Sequence, residues 1–525
     1  MSIDLLIHGG LVADGTGRPP FEADVLVDQG SIVDVGHFDR VEAQRRIDAS
    51  GQLVVPGFID IHSHSDFTLL VDPTAKSALH QGVTTELVGN CGHGCAPITE
   101  PDLFLPNIYG YSPRRPLTWR TMAGYLDALE QARPAINVCS LVANGNLRLA
   151  TLGLEDRPAT PAELGRMEVL LEAALDEGAW GYSTGLEYAA ERACTEAEMV
   201  VLAGVAARRG AMWATHTRNR EALAVESVEE AVRVARQSGA RLQVSHIVPR
   251  RGGPPDALAR SIEVVDRALA EGMDVAFDAH TRLFGITNLN VALPAWALAD
   301  GPQAIAERLR DAGTRRELKN YQSLISSFGL GGWEHVFVLD APRAGVGTHS
   351  IGELATDGRD AYDVIYDVLL AEVAEIHRPM CICWSYEENQ LASSFVHPLC
   401  MVGSDATTLS PDGPLAESVF HGAYTWAAWF FRRIVRERKA MSIEAAIHRL
   451  TGQPADRIGL RDRGRLARSM RADVAVLDPN QFRELGTVER PNELASGVNT
   501  VLVNGRLVVE AGQTTGIRSG EVLRR

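Results

Sequence analysis

The sequence predicts an α/β fold, with a parallel sheet built from strand–helix units and a small β module made by the two ends of the chain. Short apolar runs alternate with helical patterns through the middle of the chain, and this alternation is typical of parallel sheets. Residues 1–55 and 460–525 instead contain short strand patterns separated by Gly-rich turns. A chain of 525 residues is long enough for a single barrel with insertions.

The central region contains nine strand-like runs, one more than a closed (β/α)8 barrel needs. The runs lie at 57–62, 83–90, 137–142, 179–183, 211–215, 241–245, 273–277, 380–384 and 399–403. Helical patterns lie between most of them, at 162–177, 221–238, 256–271 and 361–376. One run is therefore misassigned or belongs to an insertion. We predict a barrel over 56–459 with an insertion around 283–350, where the alternation breaks.

The two ends of the chain resemble each other and predict one shared β domain. The strand patterns are Leu5–Ile7, Ala23–Val27, Ile32–Val35, Leu53–Val55, 472–478 and 500–509. Asn504-Gly505 is a hairpin turn signal inside the last of these. We therefore expect a small β-sandwich formed by 1–55 and 460–525.

The composition excludes several classes of protein. A net charge of −16 argues against a nucleic-acid binder, which would show a basic excess. The seven cysteines are an odd number without a regular framework, so a reducing compartment is expected. No secretory signal is evident, and no apolar run approaches the length of a membrane span. We expect a cytoplasmic protein with a small-molecule substrate and no membrane partner; a homo-oligomer is compatible with the sequence.

Side chains that bind metals follow five of the predicted strands. His62 and His64 lie two residues apart at the end of the first strand, so both project to one face. The other strand ends carry Cys91, His216, His246 and Asp405. The carboxyl ends of barrel strands form the mouth where active sites lie. A set of imidazoles, a carboxylate and a thiolate suits zinc.

This arrangement resembles the amidohydrolase superfamily, which carries His-x-His on strand one, His after strands five and six, and Asp after strand eight. Within the superfamily it is similar to the N-acyl-D-amino-acid deacylase (D-aminoacylase) family. The similar motifs lie at 82–85, 89–92, 181–188, 214–219, 244–246, 450–460, 463–466 and 472–473. The resemblance runs from about residue 5 to 520, with gaps at 100–118 and 283–400.

The resemblance implies a (β/α)8 barrel enzyme that hydrolyses an amide C–N bond. It implies a tightly bound zinc at Cys91, His216 and His246. It also implies a second, weaker metal position at His62, His64 and Asp405, with Asp405 as the catalytic acid and base. Many relatives bridge two metals with a carboxylated lysine, but none of the three lysines of this chain lies at a predicted strand end.

The substrate side departs from the family pattern. Val248 stands where the family has a lysine, 280–282 replaces a Tyr-Pro-Tyr motif, and 417–419 replaces His-Pro-Arg. In the family these positions help to hold the substrate's carboxylate. Their loss predicts poor activity on simple N-acetyl-D-amino acids and better activity on amides with a neutral amine side. The replacement cation, if there is one, is expected among Arg250, Arg251 and Arg282.

We place four further residues at the substrate: Tyr188, Arg218, His280 and Arg282. Two other readings stay open from the sequence. One is a hydrolase of a cyclic amide or lactone from the same superfamily, which the altered carboxylate positions favour. The other is a non-catalytic barrel relative, which the complete set of six metal-binding residues disfavours.

Overall fold

The computed structural model describes residues 3–38, 40–112, 115–347, 349–356 and 358–525. In these residues the strands are β1 Ile3–Val12, β2 Phe21–Asp28, β3 Ser31–Gly36, β4 Ala43–Asp48, β5 Leu53–Pro56, β6 Phe58–Asp60, β7 Val83–Val88, β8 Asn137–Ala143, β9 Gly181–Gly185, β10 Met212–His216, β11 Arg241–Val244, β12 Val275–Ala279, β13 Phe284–Asn288, β14 Val336–Leu339, β15 Met380–Trp384, β16 Cys400–Val402, β17 Val474–Leu477, β18 Val498–Val503, β19 Arg506–Glu510 and β20 Gln513–Thr514.

The α-helices are α1 Thr68–Val71, α2 Lys76–Leu79, α3 Pro101–Phe104, α4 Met122–Ala132, α5 Asn144–Leu152, α6 Pro161–Asp176, α7 Glu196–Arg208, α8 Ala224–Ser238, α9 Ala257–Ala270, α10 Gly301–Arg310, α11 Ala312–Leu318, α12 Leu324–Leu330, α13 Ile351–Leu354, α14 Ala361–Ala371, α15 Glu388–Val396, α16 Trp426–Trp429, α17 Ile443–Leu450 and α18 Gly452–Ile458. Local sequence explains their ends: α6 begins with a capping box between Thr160 and Glu163, with Pro161 in its first turn. The four helices predicted from periodicity are confirmed as α6, α8, α9 and α14.

Within the described ranges, no helix is both long and apolar enough to cross a membrane.

Eight parallel strands form the predicted barrel. They are β6 to β12 followed by β16, each paired with the next in chain order. The backbone after β16 closes the ring against the backbone after β6. Ser63 and Ala406 form a parallel bridge there, and the Asp405 N–H donates to the His62 carbonyl at 2.8 Å. The (β/α)8 fold class is thereby confirmed, and the carboxyl ends of all eight strands face one mouth.

The run at 380–384 is the one of the nine that lies outside the barrel. It forms β15, the centre of a three-stranded antiparallel sheet with β13 and β14. Both faces of β15 are buried, which gives it the continuous apolar pattern of a barrel strand. This sheet and α10 to α15 lie between β12 and β16, and they have an apolar core of their own around Ile325, Val338 and Ile365.

Strands from both ends of the chain share one sheet. β1 to β5 and β17 to β20 form nine strands, and β5 lies between β1 and β17. Asn504 and Gly505 both have positive φ and turn β18 into β19, as the hairpin signal predicted. β5 runs directly into β6 through Gly57, where a Cβ would lie 2.1 Å from Thr84 Oγ1. The sheet therefore anchors the first barrel strand; the sandwich and the exact domain limits stay predictions.

Candidate metal centre

The structure brings all six predicted metal-binding side chains to the mouth of the barrel. His62 and His64 follow β6, Cys91 follows β7, and His216 ends β10. His246 follows β11 and Asp405 follows β16. Except for the carboxylate of Asp405, these side chains are almost entirely buried. The strand ends supply donor atoms from separate parts of the sequence to a single small volume.

Four of these residues form a tight cluster: His62, Cys91, His246 and Asp405, with donor atoms within 4.8 Å of one another. Cys91 Sγ lies 3.2 Å from His62 Nε2 and 3.4 Å from His246 Nε2. His62 Nε2 lies 3.6 Å from Asp405 Oδ1. Bond lengths to tetrahedral zinc imply about 3.5 Å between sulfur and nitrogen ligands and about 3.4 Å between nitrogen and oxygen ligands. The cluster therefore fits one zinc ion.

His216 lies beside this cluster, with its ring 4.5 Å from that of His246. Its Nε2 is 2.5 Å from Glu187 Oε2, while its Nδ1 is buried with no hydrogen-bond partner in the described part of the chain. Burial lowers the pKa of His216 to about 4, so the ring is neutral at physiological pH. A neutral ring that donates from Nε2 to a carboxylate presents the Nδ1 lone pair as a ligand.

Two buried carboxylates orient the candidate ligands. Glu187 contacts His216, and Asp278 Oδ1 lies 3.2 Å from His62 Nδ1 and accepts the backbone N–H of His246 at 2.8 Å. Burial opposes ionisation of Glu187, but the Arg250 guanidinium and His216 lower its pKa to about 2. Carboxylates in these positions fix the tautomer and orientation of metal-binding histidines. Sequence reasoning missed both roles, although Asp278 belongs to a barrel strand.

The backbone at three of these positions adopts an unusual conformation. Cys91, His246 and Asp405 have positive φ angles of 54°, 35° and 46°. Such angles are uncommon outside glycine and persist where the surrounding structure enforces them, often at functional sites. All three belong to the four-residue cluster.

The charges of the cluster suit a cation. Burial raises the pKa of the Cys91 thiol to about 11, so this residue needs a bound cation to become a thiolate at neutral pH. Burial also opposes ionisation of Asp405, yet Arg282 and His64 hold its pKa well below the usual range. Asp405 Oδ2 accepts from Arg282 Nη2 at 2.8 Å, and Oδ1 lies 3.3 Å from His64 Nε2. Asp405 is therefore an ionised carboxylate.

A cavity opens directly onto the cluster. Its walls include the candidate metal residues His64, His216, His246 and Asp405, and around them Tyr109, Tyr188, Arg220, Arg250, Phe328, Tyr386 and Phe420. Phe328 and Tyr386 come from the segment between β12 and β16, which thus covers the mouth of the barrel. Arg220 and Tyr386 were not identified from the sequence; Arg220 follows His216 by only four residues.

Of the four predicted substrate residues, three lie at or near the cavity and one does not. Tyr188 lines the cavity, and its ring lies 5.0 Å from that of His216. His280 is buried near it, with its ring 4.8 Å from that of Tyr386. Arg282 contacts Asp405, as described above. Arg218 is not brought to the cavity: it is 31% exposed and binds Glu230 together with backbone carbonyls.

The lysines lie outside this centre, as the sequence predicts. Lys76 pairs with Asp412 at 2.6 Å, and Lys319 pairs with Asp363 at 2.7 Å. Lys439 is exposed. The donor atoms of the cluster therefore come from His, Cys and Asp.

A metal-binding cluster at the strand ends of such a barrel is typical of metal-dependent hydrolases, and comparison with known proteins supports this class. The family model described as the amidohydrolase family matches residues 45–320 and 399–509. The chain is 34% identical to an N-acyl-D-glutamate deacylase of Alcaligenes xylosoxydans over 100% of this chain and 97% of the relative. It is 30% identical to an N-acyl-D-aspartate deacylase of the same organism, over 99% and 95%.

Solved structures show the same relationship. An N-acyl-D-glutamate deacylase from Bordetella bronchiseptica, complexed with zinc and a phosphonate inhibitor, superposes with a TM-score of 0.82 at 30% identity, covering 100% of both chains. A D-aminoacylase structure has a TM-score of 0.82 at 27% identity, again over 100% of both chains. The chain belongs to the amidohydrolase family. Its resemblance to the D-aminoacylases is confirmed, and it is an enzyme that acts on a C–N bond other than a peptide bond.

Proposed function

We propose that this chain is a zinc-dependent deacylase of N-acyl-D-amino acids. The observation that carries the proposal is the cavity in which the metal cluster and buried arginines meet. Relatives of similar length deacylate N-acyl-D-glutamate and N-acyl-D-aspartate. Both kinds of substrate carry a carboxylate close to the amide bond, and a buried guanidinium binds a carboxylate well.

The cavity changes the substrate preference that the sequence suggested. That expectation of a neutral amine side rested on the departures at 280–282 and 417–419 and on Val248, which supplies no charge. Val248 is buried, but the Arg220 guanidinium binds its carbonyl oxygen at 2.8 Å. A cation is therefore present beside position 248 although the residue itself is neutral. We accordingly propose acidic substrates rather than neutral amides.

The protein's own residues provide the proton chemistry. A zinc ion would be held by His62, Cys91, His246 and Asp405, with His216 Nδ1 as a further ligand, and it would supply Lewis acidity for the scissile carbonyl and the attacking water. Asp405, an ionised carboxylate, accepts the proton of that water and returns it to the leaving nitrogen. Its contact with Arg282 restrains the carboxylate in place. His64, also within reach of Asp405, and the ring of Tyr188 border the space for the substrate.

The number of metals follows the same geometry. The donor atoms of His62, Cys91, His246 and Asp405 fit one ion, whereas His64 contacts Asp405 and His216 contacts Glu187. We propose one tightly held zinc, with a second and weaker position that involves His64. A solved D-aminoacylase structure is itself described in terms of one-metal activation and second-metal attenuation.

A substrate panel tests the proposed function. We expect zinc-loaded protein to hydrolyse N-acetyl-D-glutamate, N-acetyl-D-aspartate or N-acetyl-D-methionine, to hydrolyse the L enantiomers at least about tenfold more slowly, and to lose activity with a chelator. Released acetate is measured for each compound and for its α-carboxamide. Hydrolysis of the carboxamides alone, or of no member of the panel, would contradict the proposal.

The cellular compartment of the protein is inferred from its cysteines. All seven cysteines are free and buried, which supports a reducing compartment such as the cytoplasm. The small-molecule substrate requires no macromolecular partner. Self-association of the chain stays a prediction from the sequence.

A further inference from the structure

We propose that Arg220 is the residue that binds the α-carboxylate of the substrate. This inference rests on the proposed function and deepens it, because it assigns the recognition of the acid to one side chain. Arg220 follows β10 by four residues and lines the cavity together with His216, His246 and Asp405. Arg220 and part of the metal cluster therefore line the same cavity.

Arg220 is a buried cation without an ionic partner. The residue is 5% exposed, and in the described ranges no carboxylate oxygen lies within 4.0 Å of its side-chain nitrogens. One nitrogen, Nη2, donates to the Val248 carbonyl, and Nε is buried without a hydrogen-bond acceptor. The guanidinium carbon lies 5.4 Å from the centre of the Tyr386 ring, which offers a weaker cation–π contact.

The other arginines near the cavity already have partners. Arg250 binds two buried carboxylates, Glu187 and Glu221. Arg282 binds Asp405 and the Ser404 carbonyl. Arg251, the third candidate from the sequence, donates to the Trp384 carbonyl and is exposed. Arg220 is therefore the guanidinium in this group whose charge is left for a ligand.

A substrate carboxylate would pair with the Arg220 guanidinium. A buried charge is costly unless it is paired, and the forked guanidinium matches a carboxylate in two parallel hydrogen bonds. In an N-acyl-α-amino acid the carboxylate carbon is three bonds from the acyl carbon, so both groups must fit within one small cavity. Arg220 and the metal cluster line one cavity, so the carboxylate and the acyl group of the same substrate can reach them together.

The decisive experiment compares an N-acetyl-D-amino acid with the α-carboxamide of the same compound. Arg220→Met should lower kcat/KM for the best N-acetyl-D-amino acid of the panel by about 10- to 100-fold, chiefly through KM, as expected for a lost charge-assisted hydrogen bond. The corresponding α-carboxamide lacks the charge, so its kcat/KM should change less than about threefold. Arg220→Lys should retain part of the preference for the acid. Arg251→Met is the matched control and should leave both substrates unaffected.

A second variant guards against a purely structural effect. Adding Val248→Lys to Arg220→Met places a new cation beside the vacated position, and we expect part of the activity on the acid to return. Equal losses for acid and carboxamide in both Arg220 variants, or no loss for the acid, would overturn the assignment while the deacylase function stands. A wild-type enzyme that hydrolyses no N-acyl-D-amino acid would overturn both.

Discussion

Replacing Asp405 with asparagine is expected to lower kcat by about 10²–10⁴-fold, the range for a general acid–base group. Asparagine keeps the shape of the side chain but cannot take a proton from water. Because His62, Cys91, His246 and His216 remain, the protein should still bind zinc, although more weakly than the wild type, so kcat is compared at saturating zinc. Steady-state kinetics, metal analysis and thermal unfolding are measured on the same preparation.

Asp412→Asn is the matched control for this variant. Asp412 is 66% exposed and pairs with Lys76, and neither residue lines the cavity at the metal cluster. Its loss removes an exposed ion pair, whose contribution to stability is about 0–1 kcal/mol, and should leave kcat unchanged. Activity of Asp405→Asn within tenfold of the wild type, with metal bound, would remove Asp405 from the mechanism.

The second large effect is expected at the thiolate ligand. Cys91→Ala removes the sulfur that lies within 3.4 Å of both His62 Nε2 and His246 Nε2. Loss of a residue that merely orients a ligand weakens metal binding by about 10- to 100-fold, and loss of a ligand should weaken it more. Zinc content after dialysis and amide hydrolysis should fall together, and excess zinc should restore part of the activity.

Cys95→Ala separates this effect from the loss of a buried thiol. Cys95 is also buried, but it lies in the apolar core and is absent from the four-residue cluster. We expect the Cys95 variant to be slightly less stable and to bind zinc normally. Full zinc occupancy and normal turnover in Cys91→Ala would make Cys91 a structural residue.

The sequence allowed the barrel and the composition of its mouth to be predicted because both depend on local pattern. Each of β6, β7, β10, β11 and β16 carries a metal-binding side chain at its last residue or within the four residues that follow. The parallel arrangement then places those side chains at one edge. The hairpin at Asn504-Gly505 was predictable for a similar reason, because its turn is specified by two adjacent residues.

The remaining features depend on contacts between distant residues. β15 resembles a barrel strand because both of its faces are buried, and only its antiparallel partners show otherwise. Arg218 and Arg220 are two residues apart, yet Glu230 holds the first at the surface while the second enters the cavity. No local sequence pattern distinguishes these two arginines. The positive φ angles of Cys91, His246 and Asp405 likewise arise from the assembled mouth.

Anomalous diffraction at the zinc edge, from crystals of the zinc-loaded protein, shows whether the barrel strand ends form a metal centre. We expect a strong peak about 2.3 Å from Cys91 Sγ and about 2.0–2.1 Å from His246 Nε2. His216 Nδ1 should face the same peak, with Glu187 still at Nε2. A peak away from the carboxyl ends of the strands, or one that Cys91 does not ligate, would contradict the account.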